Sequence, residues 1–250
     1  MAEAYIVAAT RTAGGRKGGR MRGWHPADLA GSVLDELILR TGLDPAVVED
    51  VIMGCVTQAG EQSTNIARNA VLASKLPESV PGTSVDRQCG SSQQALQFAA
   101  QAVMSGTMDV VIASGVESMT RAPMGMSVML PAQAGLGVPK SPRMEERYPN
   151  IQFSQFAGAE MVAKKYGLSK EQLDEFGYLS HQRAIAATQG GAFKDEILAL
   201  DGLDKEGNVV RHDSDEGIRY DVSLEGMRGV KLLQEEIGRA SCRERVCAIV

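Results

Sequence analysis

Cys89 stands where an extended stretch of the sequence gives way to a helical one, in VDRQCGSSQQAL (residues 85–96). A cysteine at the beginning of a helix meets unpaired backbone N–H groups and the positive end of the helix dipole, and both stabilise a thiolate. This position is typical of a nucleophile. A cysteine of unknown context is otherwise more often a small buried core residue.

The residues that follow Cys89 favour the close approach of a substrate. Gly90, Ser91 and Ser92 are small, so that backbone N–H groups at the turn can face a reacting carbonyl. The arrangement resembles a strand-to-helix nucleophile elbow. A base such as histidine is still needed to take the thiol proton and to return it in later steps.

The elements that position Cys89 alternate between strand and helix over the first 118 residues. The pattern predicts helices at 27–40, at 64–73 and after Cys89, with Gly106 closing the last of them. It predicts strands at AYIVAA (4–9), VEDVIMG (48–54), TSVD (83–86) and DVVIASG (109–115). This alternation indicates an α/β fold with a largely parallel sheet.

A second, mixed subdomain is predicted over residues 119–235. Its first part, 119–153, has no sustained period and indicates a long ordered excursion or a linker. Two helices are expected next, at 155–166 and 169–189, the second opened by a capping box of Ser169 and Gln172. Strands are predicted at FKDEILAL (193–200) and NVVRH (208–212).

Composition narrows the possible functions. The 250 residues are 44% hydrophobic and 23% charged with a net charge of −5, which indicates a soluble globular protein and gives no reason to expect nucleic acid or a membrane as partner. No apolar window spans a membrane and no signal peptide is recognisable, so we expect a cytoplasmic protein with a small-molecule ligand. The four cysteines lack CxxC pairs; we expect thiols and no metal site.

The end of the chain differs from the rest in composition and in periodicity. Residues 236–247, EIGRASCRERVC, are rich in arginine and show neither helical nor strand period. They resemble one reading frame of a sequencing-library adapter. We therefore expect the natural protein to diverge from this amino-acid sequence near Glu235, and residues 236–250 to be a non-native tail. A basic, solvated tail is the alternative.

The chain resembles the thiolase family, the acyl-CoA acyltransferases that make or break 3-ketoacyl-CoA thioesters. The resemblance covers most of residues 4–235. It is carried, in order, by RTAGGRKGG, by DVIMGCVTQAGEQSTNIARNAVLASKLPESVPGTSVDRQCG, by the nucleophile segment VDRQCGSSQQALQFAAQAVMSGTMDVVIASGVESM, and by GLSKEQLDEFGYLSHQRAIAATQGGAFKDEI.

The resemblance implies a thiolase-like layered fold, with an N-terminal α/β domain over residues 1–118 and a loop domain over 119–235 that covers coenzyme A. It implies that Cys89 carries the acyl group as a thioester and that its backbone N–H contributes to an oxyanion hole. Coenzyme A is then a co-substrate and no prosthetic group is needed. Homodimers or homotetramers are usual in the family.

Two catalytic segments of the family are not found in this sequence. Thiolases place a histidine in a GHP segment and a second cysteine in a C-x-G-rich segment, both in a C-terminal half that repeats the fold. No GHP occurs here, and the three histidines, His25, His181 and His212, lie outside that context. Cys247 lies in the expected tail, and Cys55 is interpreted as a core strand residue. We therefore expect an active intact gene product and an inactive chain as written.

Two further segments are interpreted through the resemblance. Arg219 matches an arginine that lies along the coenzyme, where a guanidinium stacks on adenine or approaches a phosphate; a solvated arginine is the alternative. Gly226 stands where some relatives have a coenzyme-contacting serine. The basic loop, residues 11–22, is not a P-loop because Lys17 is followed by glycine and not by Ser or Thr. The corresponding segment of thiolases lies near the active-site approach. A flexible, solvated loop is the alternative. Glu117, in GVESMT, is given no chemical role.

Three other functions remain as alternatives to a thiolase. A ketoacyl synthase shares the fold and the cysteine but uses two histidines in a decarboxylative reaction, and the CGSS and GVESM runs favour thiolase. A cysteine hydrolase needs a histidine near Cys89. A non-catalytic thiolase-like protein that binds acyl-CoA or lipid is the alternative from another class, although binding alone does not require a thiolate.

Overall fold

The structure is a computed structural model that describes residues 3–230. Its helices are α1 Pro26–Thr41, α2 Ile66–Leu72, α3 Ser91–Met104, α4 Met126–Gln133, α5 Pro142–Arg147, α6 Gln155–Tyr166, α7 Lys170–Gln189 and α8 Leu224–Arg228. Its strands are β1 Arg11–Thr12, β2 Asp50–Gly54, β3 Gly82–Val85, β4 Val111–Gly115, β5 Ile197–Leu198, β6 Leu200–Leu203 and β7 Val209–His212. None of these helices is both long and apolar enough to cross a membrane.

A parallel sheet with the order β3-β2-β4 carries the candidate nucleophile, which confirms the predicted α/β fold. The central strand β2 is buried on both faces because its side chains alternate in direction. Val51 and Met53 belong to a core cluster with side chains of α1 and α2, whereas Ile52 packs with Ala95 and Ala99 of α3. Helices therefore cover both faces of the sheet.

Residues 4–9 do not form the predicted strand. Within residues 3–230, no backbone hydrogen bond joins residues 4–8 to another segment, and Tyr5, Ile6 and Val7 are 76%, 70% and 79% exposed. The sequence has strand character, but a strand also needs a neighbour to complete its hydrogen bonds. An apolar cavity of about 340 Å³ separates this segment from residues 110–113, with α1 and α3 side chains along its walls.

The described residues form two compact units. The first contains residues 3–130 and 194–216, and the second contains residues 131–193 and 217–230. The strand prediction at NVVRH is confirmed by β7, and the one at FKDEILAL is confirmed only from Ile197 onward, by β5 and the first residue of β6. All three strands lie in the first unit. The division at residues 118 and 119 stays a prediction, and the predicted tail, 236–250, lies outside the described residues.

The second unit begins its long helix as the sequence predicts. The Ser169 side chain accepts the N–H of Gln172, and the Gln172 side chain accepts the N–H of Ser169, so both halves of the capping box are present. Asp174 of α7 is 4% exposed and is paired with Lys170, whose ammonium also donates to the carbonyl oxygen of Arg228 in α8. Two short helices, α4 and α5, occupy the predicted irregular excursion.

The basic loop is held by carboxylates of the first unit. The Arg11 guanidinium contacts Asp215 at 2.7 and 3.1 Å, and Asp215 also accepts the N–H of Gly14 at 2.6 Å. Glu216 accepts the N–H of Arg20 at 3.0 Å. Burial acts to raise the pKa of Asp215, but the Arg11 and Gly14 hydrogen bonds outweigh it, so this pKa lies below its usual value. The alternative of a freely flexible loop does not fit these contacts.

We expect Asp215→Asn to lower the free energy of unfolding by roughly 2 kcal/mol at neutral pH, because it removes one partner of a largely buried ion pair. A lowered folded-state pKa contributes stability above the unfolded value that is lost as the pH falls through the folded one. The unmodified chain should therefore lose more stability than the variant between about pH 6 and about pH 3, as followed by urea unfolding.

The matched control for this prediction is Asp201→Asn. The side chain of Asp201 is 71% exposed and lies 4.0 Å from Arg211, so its loss should change stability by less than about 0.5 kcal/mol. Equal losses in the two variants would contradict the assigned role of Asp215.

Candidate active site around Cys89

Cys89 is exposed on the turn that joins β3 to α3. The helix begins at Ser91 with Gly90 as its N-cap, so the thiol lies just ahead of the first helical turn. The sequence placed Cys89 at the beginning of this helix, and the structure agrees to within two residues. Cys55, by contrast, is 1% exposed and belongs to the core cluster, as predicted, although it lies one residue beyond the end of β2 and not within the strand.

Hydrogen bonds hold the turn on both sides of Cys89. The N–H of Arg87 donates to Ser91 Oγ at 2.9 Å, and the N–H of Gln88 donates to Asp86 Oδ1 at 2.7 Å. The N–H groups of Gly90 and Ser91 donate to the carbonyl oxygens of Arg87 and Gln88 at 3.1 and 3.0 Å. Gln88 has a φ of +46°, a left-handed conformation that is uncommon for a residue with a side chain.

Two glycines seat the first turn of α3 on the carboxyl edge of the sheet. A Cβ on Gly54, the last residue of β2, would lie 2.3 Å from the backbone nitrogen of Ser92. A Cβ on Gly115, the last residue of β4, would lie 1.9 Å from Ser92 Oγ. Only the missing side chains allow this approach, which brings Cys89 to the edge where open α/β sheets bind ligands.

A carboxylate without an assigned role organises the neighbouring loop. Glu117, just after β4, accepts the N–H groups of Val56 and Thr57 at 2.7 and 3.2 Å, and the side-chain amide of Gln62 at 3.1 Å. Gln62 is fully buried and accepts the N–H of Ser118 at 2.6 Å. The sequence alone gave Glu117 no role; the available signal was an acidic residue two positions after the end of an apolar strand.

The three histidines have hydrogen-bond partners other than Cys89. His25 caps α1, where its Nδ1 accepts the N–H of Ala27 at 3.2 Å, and His212 is fully buried with Nε2 2.9 Å from the carbonyl oxygen of Ala13. His181 Nδ1 accepts the N–H of Arg219 at 3.4 Å. No hydrogen bond or ion pair of these histidines involves Cys89, so the cysteine-hydrolase alternative gains no support.

Arg219 lies in the second unit, on the exposed segment between β7 and α8. Its backbone is tied to α7 through His181, whereas its side chain is open to solvent. Gly226 lies in α8, and its N–H donates to Ser223 Oγ at 3.0 Å, which caps that helix. The predicted coenzyme contact of Arg219 therefore involves a side chain that is accessible to a ligand.

Comparison with known proteins extends these observations. Residues 4–239 match the family described as "Thiolase, N-terminal domain". The chain is 45% identical over 237 residues to the steroid 3-ketoacyl-CoA thiolase FadA6 of Mycobacterium tuberculosis, covering 94% of this chain and 57% of that protein. It is 41% identical over 233 residues to a 3-ketoacyl-CoA thiolase of Erwinia tasmaniensis, covering 92% and 58%.

A solved structure shows the same fold. The acetyl-CoA acetyltransferase of Bacillus anthracis superposes with a TM-score of 0.79 at 30% identity, covering 94% of this chain and 60% of that one. The chain belongs to the thiolase family, in its N-terminal domain, and the resemblance read from the sequence is confirmed. It spans a little under three fifths of the length of the curated relatives.

We expect Gly54→Ala to lower the free energy of unfolding by at least about 2 kcal/mol, because its Cβ would overlap the backbone of α3. Gly15→Ala is the matched control in the same unit: its Cβ would meet Met21 at 3.4 Å, an ordinary contact, and stability should change by less than about 1 kcal/mol. Urea unfolding measures both. A Gly54→Ala chain as stable as the control would show that α3 is not seated as described.

Proposed function

We propose that this chain is the N-terminal part of a thiolase-type acyltransferase in which Cys89 forms the acyl-enzyme intermediate. The observation that carries the proposal is the exposed Cys89 on a hydrogen-bonded turn, held at the carboxyl edge of the sheet by Gly54 and Gly115. The substrates are 3-ketoacyl-CoA and coenzyme A in the cleavage direction, or two acyl-CoA units in condensation. No prosthetic group takes part.

The proposed cleavage has two acyl-transfer steps. The Cys89 thiolate attacks the 3-keto carbon, the bond between carbons 2 and 3 breaks, and the acetyl-CoA enolate that leaves takes a proton at carbon 2. The thiolate of coenzyme A then attacks the acyl-cysteine and releases the Cys89 thiolate. The backbone N–H of Cys89 stabilises an oxyanion in these steps. A separate acid and base must supply the proton at carbon 2 and remove the proton of the coenzyme A thiol.

We place that acid and base outside this chain, which makes the chain as written an inactive fragment. Two observations support this placement: the histidines have their partners elsewhere, and the chain spans under three fifths of its curated relatives. The open apolar cavity beside residues 4–9 also fits a sheet to which a further strand is added. Residues 236–250 remain a proposed non-native tail.

The two predicted domains have separate tasks in this proposal. Residues 1–118 hold the nucleophile, and residues 119–235 form a loop domain that covers coenzyme A, with Arg219 along the coenzyme. The intact protein is a cytoplasmic homodimer or homotetramer without a nucleic-acid or membrane partner. A non-catalytic acyl-CoA-binding protein is the outcome to which a failed activity test would point.

The proposal is tested by the activity of the full gene product, whose sequence is first determined through and beyond the codon for Glu235. Thiolysis of acetoacetyl-CoA should be measurable, and Cys89→Ser should lower kcat by at least about 1,000-fold because the intermediate can no longer form. Cys55→Ala removes a buried thiol instead; it should lower the melting temperature and leave kcat within about threefold. Unchanged kcat in Cys89→Ser would exclude the acyl-cysteine.

The role of Arg219 has its own test in the same full-length protein. Arg219→Ala should raise the KM for coenzyme A by roughly tenfold with little change in kcat, since a contact made equally in the ground and transition states is lost. Arg183→Ala, an exposed arginine of α7, is the control and should leave KM unchanged. Equal KM values in the two variants would refute the coenzyme contact.

A further inference from the structure

We propose that Ser91 is the positioning residue of the nucleophile: its hydroxyl holds the Cys89 turn in the geometry needed for acyl transfer. The inference rests on the proposed role of Cys89 and adds a second side chain to that site. Ser91 does not contact the reacting atoms in the proposed acyl transfer. It acts through the backbone on the N-terminal side of the thiol.

The Ser91 side chain forms two hydrogen bonds across the Cys89 turn. Its side-chain oxygen accepts the N–H of Arg87 at 2.9 Å and donates to the carbonyl oxygen of Gln88 at 2.5 Å. Ser91 is 4% exposed, whereas Cys89 is exposed. A buried hydroxyl therefore closes the loop from Arg87 to the first residue of α3, and the thiol stands on its outer side.

A hydroxyl is the group that this position requires. It is both donor and acceptor, so one atom satisfies an N–H and a carbonyl group together. These bonds help to keep Gln88 in its left-handed conformation, which carries an intrinsic free-energy cost for a residue with a side chain. An alanine at position 91 would leave the Arg87 N–H without its partner, and a partly buried N–H without a partner is unfavourable.

Loss of the Ser91 hydroxyl should loosen the turn without removing the helix. The carbonyl oxygen of Gln88 also accepts the N–H of Ser91 at 3.0 Å, and the N–H of Gln94 donates to the carbonyl oxygen of Gly90 at 2.9 Å. Those backbone bonds do not depend on the hydroxyl. The effect should therefore appear in the reactivity of Cys89 more strongly than in the overall fold.

The experiment compares alkylation of Cys89 by iodoacetamide in four forms of the 250-residue chain, followed by peptide mapping. These forms are the unmodified chain, Ser91→Ala, Ser91→Thr and Ser105→Ala. Ser105 is the matched control because it lies at the other end of α3, where its hydroxyl donates to the carbonyl oxygen of Ala102 at 2.8 Å. Circular dichroism checks that each variant is folded.

Ser91→Ala should react roughly tenfold more slowly than the unmodified chain, as expected for the loss of about one hydrogen bond's free energy. Ser91→Thr retains the hydroxyl and should restore the rate to within about threefold of the unmodified chain, as should Ser105→Ala. A folded Ser91→Ala chain that reacts at the unmodified rate would overturn the inference. A folded Ser91→Thr chain as slow as Ser91→Ala would do the same.

Amide hydrogen exchange of Arg87 in the unmodified chain supplies a test that needs no variant. Protection of this amide supports the Ser91 contact, and exchange at the rate of an open amide overturns it. The proposed function is decided separately, by whether unmodified Cys89 reacts faster than a simple thiol such as glutathione. The ratio of the Cys89 alkylation rates in Ser91→Ala and in the unmodified chain tests only the positioning role of Ser91.

Discussion

The absence of a side chain at Gly54 and Gly115 is the constraint on which the rest of the site depends. These glycines end two neighbouring parallel strands. The backbone of α3 occupies the space that a Cβ on Gly54 would fill, and the Ser92 side chain occupies the space that a Cβ on Gly115 would fill. The close contact fixes where the helix begins. The turn before the helix, and with it the thiol of Cys89, is fixed in consequence.

The loops on either side of this contact are held by polar side chains with several partners each. Glu117 and Gln62 anchor the loop after β2. Asn65 caps α2 and also binds β3, donating to the carbonyl oxygen of Gly82 and accepting from Ser84 Oγ. A satisfied network of this kind leaves few alternative arrangements of the carboxyl edge, because an unpaired buried polar group is costly.

The chemistry of the proposed reaction divides between what the described residues provide and what they lack. They provide an accessible thiol on a fixed turn and an exposed arginine in the second unit. Their histidines are occupied by a helix cap, a buried backbone contact and a loop contact. A nucleophile without its base can be acylated but cannot return protons efficiently, which is why we assign catalysis to the full-length protein.

Local pattern in the sequence is enough to predict some parts of this structure. The strand β2, the helix after Cys89 and the capping box at Ser169 follow from hydrophobic periodicity and short-range hydrogen bonding, and the ordered motifs were enough to indicate the thiolase family. Residues 4–9 show the limit of that reasoning. Their side chains favour a strand, but no described segment lies beside them to complete it.

Tertiary structure alone decided the contacts between residues distant in sequence. It brought Gly54 and Gly115 under Ser92, linked Glu117 to Gln62, and paired Arg11 of the basic loop with Asp215. Hydrogen bonds and close approach depend on three-dimensional distance, and a period along the chain carries no record of which loops meet at the edge of a sheet.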